Sequence, residues 1–248
     1  MDHLLRKDRD NGISEIRLRR APVNALSAEF LMDFAGLIDE LVADDTVRGI
    51  VIASDFKVFS AGLDLKEAQG FDLAAQNAIV RGLNLGFLAL YTCPKPTVAA
   101  VNGAAIAGGL FFVLASDARL ATPDARFGLA EVRVGVDFPV GPLEIARATL
   151  DTNSLRRLML GGQPINAQQA SAAGIIDNIV PPDQLDAAAR AAALGLADSP
   201  PNTYASVKRQ IRGAVCDRIE HAMAHGGNAP PGGWFNDETV AAMQRMIG

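Results

Sequence analysis

Apolar and polar positions recur along the chain with two different periods, and the changes of period mark out its elements. Residues 2–8 and 13–19 flank Asp10-Asn11-Gly12, and Asn-Gly tolerates the positive φ of a two-residue turn, so the chain is expected to open with a β-hairpin. Beyond Pro22, Ser27 is placed to cap a helix running to about Val42, with Phe30, Leu31, Phe34, Leu37, Ile38 and Leu41 on one face. Arg48–Ala53 and Thr97–Val101 read as buried strands, with a helix over Leu73–Leu90 between them. Gly108–Ser116 reads as a helix apolar on all sides, which has to lie at the centre of the molecule. Short strands are expected near 118–121 and 176–180, with helices at about 141–150, 153–160 and 167–173.

After Asp183 the pattern is helical only: an alanine-rich segment to Asp198, a second from about Pro200 to Ala224, and a third over Asn236–Ile247. Their apolar faces need cover, from the main core or from a second subunit. Gly226–Gly233 reads as a loop between them, and no sequence repeat is present. The class is therefore α/β, with strands alternating with helices before a helical tail.

Composition narrows the function. The 248 residues are 49% hydrophobic with a mean hydropathy of +0.16, which excludes a disordered chain. The longest apolar run, Leu110–Ala115, is far below the roughly 18 residues of a membrane span, and the N-terminal residues lack the order of a signal peptide. A cytoplasmic protein without a membrane partner is the expectation. Cys93 and Cys216 lack C-x-x-C spacing, so neither a disulfide framework nor a zinc site is indicated. The net charge of −5 argues against a nucleic-acid surface; Arg19, Arg20, Lys57 and Lys66 remain as a local cluster for an anionic ligand.

Two glycine-bearing turns carry the candidate chemistry, Phe59-Ser-Ala-Gly-Leu-Asp-Leu65 and Ala105-Ile-Ala-Gly-Gly109. Each could present one backbone N–H, from Leu63 and from Gly108, to a single oxygen, because glycine permits close backbone approach. Two such donors in a dry pocket stabilise an enolate by about 3–4 kcal/mol each. Glu131, in Phe127-Gly-Leu-Ala-Glu131, could move the proton of a thioester whose enolate they hold. Taken singly, each turn reads as ordinary punctuation between a strand and a helix, and Glu131 as a solvated surface glutamate. Other chemistries lack support. His221 and His225 share a helix face without a third ligand, and no G-x-S-x-G elbow, G-x-G-x-x-G loop or Walker lysine occurs.

The order of these pieces resembles the crotonase superfamily of enoyl-CoA hydratases and isomerases over about residues 13–190. The matching segments are Arg20-Ala-Pro-Val-Asn-Ala25-Leu26, Phe59–Leu65, Lys95–Gly103 followed by Ala107-Gly-Gly109, Ala115-Ser-Asp117, Phe127–Glu131 and Ala173-Gly-Ile-Ile-Asp177. The resemblance implies a spiral core of ββα units over 1–190 and a C-terminal helical oligomerisation region over 191–248, assembled as a homotrimer or dimer of trimers. It implies a coenzyme A thioester as substrate and neither cofactor nor metal. By the same carry-over Leu63 and Gly108 form the oxyanion hole and contact the ligand. Arg20, Ala25, Ala61, Asp64, Leu65 and Lys66 complete the coenzyme A site, with Arg20 or a neighbouring base near the phosphates.

Departures from the pattern narrow the reaction. Hydratases of the superfamily carry two glutamates around one water; the second matches Glu131, but the first matches Phe111. A phenyl ring cannot activate water. The pattern is most similar to that of the single-glutamate Δ3,Δ2-enoyl-CoA isomerases, in which Glu131 would move a proton from C2 to C4, its carboxyl pKa raised by Phe111, Phe127 and Phe138. Asp137 is placed as a turn residue and, secondarily, as a second acid; Asp64 as a cap. Alternative readings are a hydratase, lyase or hydrolase on a specialised thioester, and a catalytically weak acyl-CoA-binding protein.

Overall fold

The computed structural model describes residues 3–247; Asp2, placed in the first expected strand, lies outside them. In chain order the elements are β1 (Leu4–Asp8), β2 (Ile13–Leu18), β3 (Ala25–Leu26), α1 (Ala28–Ala43), β4 (Gly49–Ser54), β5 (Gly62–Leu63), α2 (Leu65–Ala68) and α3 (Leu73–Thr92). They continue with β6 (Thr97–Val101), β7 (Ala104–Ile106), α4 (Gly108–Leu114), β8 (Ala118–Ala121), β9 (Arg126–Gly128), α5 (Glu131–Val134), α6 (Val140–Thr149) and α7 (Thr152–Gly161). The last are β10 (Ile165–Asn166), α8 (Ala167–Ala172), β11 (Asn178–Ile179), α9 (Leu185–Ala197), α10 (Pro201–Ala222) and α11 (Thr239–Ile247).

Six strands form the main sheet in the order β1-β2-β4-β6-β8-β11. Only the β1–β2 pair is antiparallel, with Asp8 opposite Ser14. Their connection is longer than the two-residue turn expected from Asn-Gly. Gly12 N–H donates to Arg9 O and Arg9 N–H to Ile13 O, closing a three-residue loop in which Gly12 alone takes positive φ (82°). The remaining pairs of the main sheet are parallel and are joined by helical crossovers.

One face of the sheet carries the large core under α1, α3 and α4. The Ser27 hydroxyl caps α1 by accepting the Phe30 N–H at 3.2 Å, and all six expected apolar residues of α1 are buried. The helix α4 is buried on every side, as its composition requires. The helix α3 has the length and hydropathy of a membrane span, but half of that window is buried in the core. The opposite face of the sheet is covered by α9, whose Leu185, Ala189 and Ala193 pack on Ile13, Val51, Val98 and Leu120. The boundary expected at residue 190 falls inside this helix.

The other two sheets position the site. In one, β3 and β5 pair in parallel. In the other, β7 lies between β9 and, through a parallel bridge of Ser60 to Ala105, the segment leading into β5. The consecutive segments β5, β7 and β9 therefore run in the same direction, and their C-terminal ends lie side by side.

Candidate functional site

Leu63 ends β5, Gly108 comes two residues after β7, and Glu131 comes three residues after β9. The parallel register thus brings to one edge three residues that are far apart in sequence. They line a common cavity of about 80 Å³ with Ala61, Leu65, Phe111, Val134 and Val136.

The two glycine turns touch each other. A Cβ on Gly62 would lie 2.7 Å from Ile106 O and 3.2 Å from Gly108 N, and Gly62 also needs its positive φ of 79°. A Cβ on Gly109 would lie 2.4 Å from Ser60 O. Glycine is required at both places so that the backbones can approach. Asp64 N–H donates to Leu26 O, so strand alternation turns the adjacent Leu63 N–H away from β3. Gly108 opens α4, where a first-turn N–H has no partner within the helix. Ala107, just before it, holds φ 49° and ψ −126°, a sparsely populated region for a residue with a Cβ, costing about 1–3 kcal/mol. Its N–H donates to Gly128 O at 2.8 Å, which fixes the turn against β9.

Ser60 braces this arrangement. Its hydroxyl donates to Asn24 O at 2.8 Å and accepts the Gly62 N–H at 3.3 Å. The Asn24 amide in turn donates to Phe59 O at 2.9 Å and Ser54 Oγ at 2.8 Å.

Glu131 is buried at 7% exposure, and its Oε2 has no hydrogen-bond partner among the described residues. Burial in apolar surroundings pushes its carboxyl up to about 8, against a smaller opposing contribution from a backbone hydrogen bond. Phe111 lines the same cavity, and Glu131 is the single carboxylate among the lining residues. Phe138 sits behind Phe111, the ring centroids 6.5 Å apart. Asp137 is exposed and lies outside this cavity; its backbone oxygen accepts the Trp234 indole N–H at 2.8 Å.

The other expected ligand contacts are distributed unevenly. Ala61 and Leu65 reach the cavity. Asp64 caps α2 by accepting the Glu67 N–H at 3.2 Å. Arg20 is already engaged, donating to Ala25 O at 2.7 Å, Asp64 at 3.4 Å and Glu67 at 3.2 Å. Arg19 pairs with Asp55 at 3.0 Å. Lys57 and Lys66 are exposed and form no ion pair among the described residues. The His221 and His225 rings lie 4.1 Å apart, tilted by 32°, on the surface and outside the cavity lining.

The enoyl-CoA hydratase/isomerase family model matches residues 8–226. The chain belongs to the enoyl-CoA hydratase/isomerase family. A probable enoyl-CoA hydratase of Mycobacterium avium is 33% identical over 82% of this chain and 79% of its own length. The mitochondrial enoyl-CoA delta isomerase 1 of Rattus norvegicus is 29% identical over 87% of this chain and 76% of its own. The human mitochondrial delta3-delta2-enoyl-CoA isomerase superposes with a TM-score of 0.89 at 27% identity, covering 99% of this chain and 96% of that one. The fold is thus the crotonase fold with a C-terminal helical region. Both hydratases and isomerases of the family resemble the chain, so the reaction has to be argued from the cavity.

Sequence reasoning missed part of that cavity's wall. Trp234 and Met246 enter it from the C-terminal segment, and Val134, Val136, Pro139 and Pro142 from α5, the start of α6 and the loop between them. Trp234 lies just after the glycine- and proline-rich loop, 103 positions beyond Glu131, and no periodic signal connects the two.

Proposed function

We propose that the protein is a Δ3,Δ2-enoyl-CoA isomerase that uses Glu131 as its single acid–base group. The observation that carries this reading is that Glu131 shares its cavity with Phe111 and with no second carboxylate among the described residues. Hydration needs two groups to orient and activate water, whereas isomerisation conserves its proton and needs one. In its deprotonated form Glu131 takes a proton from C2 of a 3-enoyl thioester, charge passes to the thioester oxygen, and the same carboxyl returns the proton at C4. The Leu63 and Gly108 N–H groups stabilise the oxygen at about 3–4 kcal/mol each. A buried carboxyl with an unpartnered oxygen and a pKa of about 8 suits this work, since it can both accept and return a proton near neutral pH.

Acyl-CoA is the substrate class this family membership supports. With Arg20 held by Asp64 and Glu67, the exposed Lys57 and Lys66 are better placed to meet phosphates than Arg20 is. Oligomeric assembly as a trimer or a pair of trimers accompanies the reading as a proposal. Conversion of 3-enoyl-CoA to the conjugated 2-enoyl product, followed by ultraviolet absorbance in wild type and Glu131→Gln, tests the function. Loss of about 10²–10⁴-fold in the variant is expected.

A further inference from the structure

The C-terminal segment closes one side of the cavity with the chain's single tryptophan, Trp234. This indole is held at both its ring and its backbone. Its Nε1–H donates to Asp137 O at 2.8 Å, on the loop that follows Glu131. Its backbone N–H donates to the Gln76 carboxamide oxygen of α3 at 2.9 Å, and the Phe235 N–H donates to the same oxygen at 3.0 Å. Gly233 makes the clamp possible, since a Cβ there would lie 2.5 Å from that oxygen and its φ is +96°. Phe235 stacks on Phe71 with an interplanar angle of 8° and bridges to Val136. A side chain clamped in this way stays in place when a ligand meets it.

The space it leaves is small. At roughly 10–15 Å³ per water-sized group, a cavity of about 80 Å³ takes a thioester carbonyl and a short chain. We propose that Trp234, with Met246 also on the cavity wall, sets the acyl length, so that the site takes short-chain enoyl thioesters of about four to six carbons. A chain of ten carbons has to displace the indole and break its bonds to Asp137 and Gln76. The inference rests on the acyl-CoA reading of the cavity and does not require turnover.

Trp234 also supplies the readout, because all tryptophan emission comes from the cavity wall. Saturated butyryl-, hexanoyl-, octanoyl- and decanoyl-CoA are titrated into the wild-type protein, with emission and isothermal calorimetry followed together. Each methylene buried against apolar wall tightens binding about fourfold. Affinity is expected to rise at that rate from butyryl- to hexanoyl-CoA, with a shift in emission, and to stop rising at octanoyl- and decanoyl-CoA. In Trp234→Ala, read by calorimetry, the rise continues to decanoyl-CoA; Met246→Ala extends it by a smaller step. Affinity that climbs through decanoyl-CoA in wild type overturns the inference and leaves the isomerase reading standing. Emission that stays unmoved by an acyl-CoA that calorimetry shows to be bound does the same. Absence of binding at every chain length overturns both. The wild-type series decides the matter even if Trp234→Ala fails to fold.

Discussion

A carboxyl group buried beside Phe111 with an unpartnered oxygen keeps its proton through neutral pH, and that has two consequences at the scale of one residue. The first is kinetic. Proton removal needs the ionised form, so kcat/KM on a 3-enoyl thioester is expected to rise about tenfold per pH unit below the Glu131 pKa of about 8 and to level above it. A profile flat from pH 6 to 9 contradicts the assignment. The second concerns stability. The folded-state pKa of about 8 lies above the ordinary 4.5, so between these values the native state holds a proton that the unfolded chain has released. This group's contribution is therefore fully present below about 4.5 and is lost as pH rises through about 8, at roughly 1.4 kcal/mol per unit of difference. Glu131→Gln carries no such charge, and its melting temperature is expected to exceed that of wild type by a margin that grows from pH 5 to 8.5. A margin that does not change with pH removes the buried-carboxyl account.

At the scale of elements, the site depends on three short parallel strands and on the helix turn that carries Glu131. Gly135, at the C-cap of α5, has φ 79°, and its carbonyl accepts the Thr239 hydroxyl from α11 at 2.6 Å. Thr239→Val removes that donor from a fully buried position and is expected to cost about 1 kcal/mol in thermal unfolding, with a fall in kcat/KM. An unchanged kcat/KM would separate α11 from the function of the site. The long elements are legible in the sequence because α1 and α3 carry apolar positions at helical spacing and α4, β4 and β6 are largely continuous apolar runs. The elements that build the site are not. β5 has two residues and β7 and β9 three each, too few to show a period, and the segment leading into β5 is joined to β7 by a single bridge between Ser60 and Ala105. The motif residues could be named from sequence, whereas the bracing role of Ser60 and the Trp234 wall needed the tertiary contacts.

For the whole molecule, the helical tail is tied to the sheet by buried charge. The Asp117 carboxylate accepts Thr97 N–H at 2.8 Å at the start of β6, and it meets Lys208 at 2.7 Å and Arg212 at 2.9 Å on α10. Burial pushes the Lys208 amine down, and Asp117 pulls it back up. Removing the shared carboxylate leaves two cations uncompensated inside the protein, so Asp117→Asn is expected to cost about 3–5 kcal/mol, seen as a lower urea midpoint. A midpoint equal to that of wild type would show that the tail is held by apolar packing alone. The tail thus belongs to the same folded body as the cavity, and through Trp234 and Met246 it also forms part of the cavity's wall.

The central claim is that one carboxylate facing a phenyl ring isomerises and does not hydrate. The most direct test offers pure 3-enoyl-CoA and, separately, 2-enoyl-CoA of four to six carbons to the wild-type protein and to Glu131→Gln, following absorbance of the conjugated thioester. The account predicts rising absorbance from the 3-enoyl substrate, loss of that rise in the variant, and no hydration of the 2-enoyl substrate. Hydration of 2-enoyl-CoA at an ordinary enzymatic rate, with no isomerisation of the 3-enoyl substrate, would contradict it.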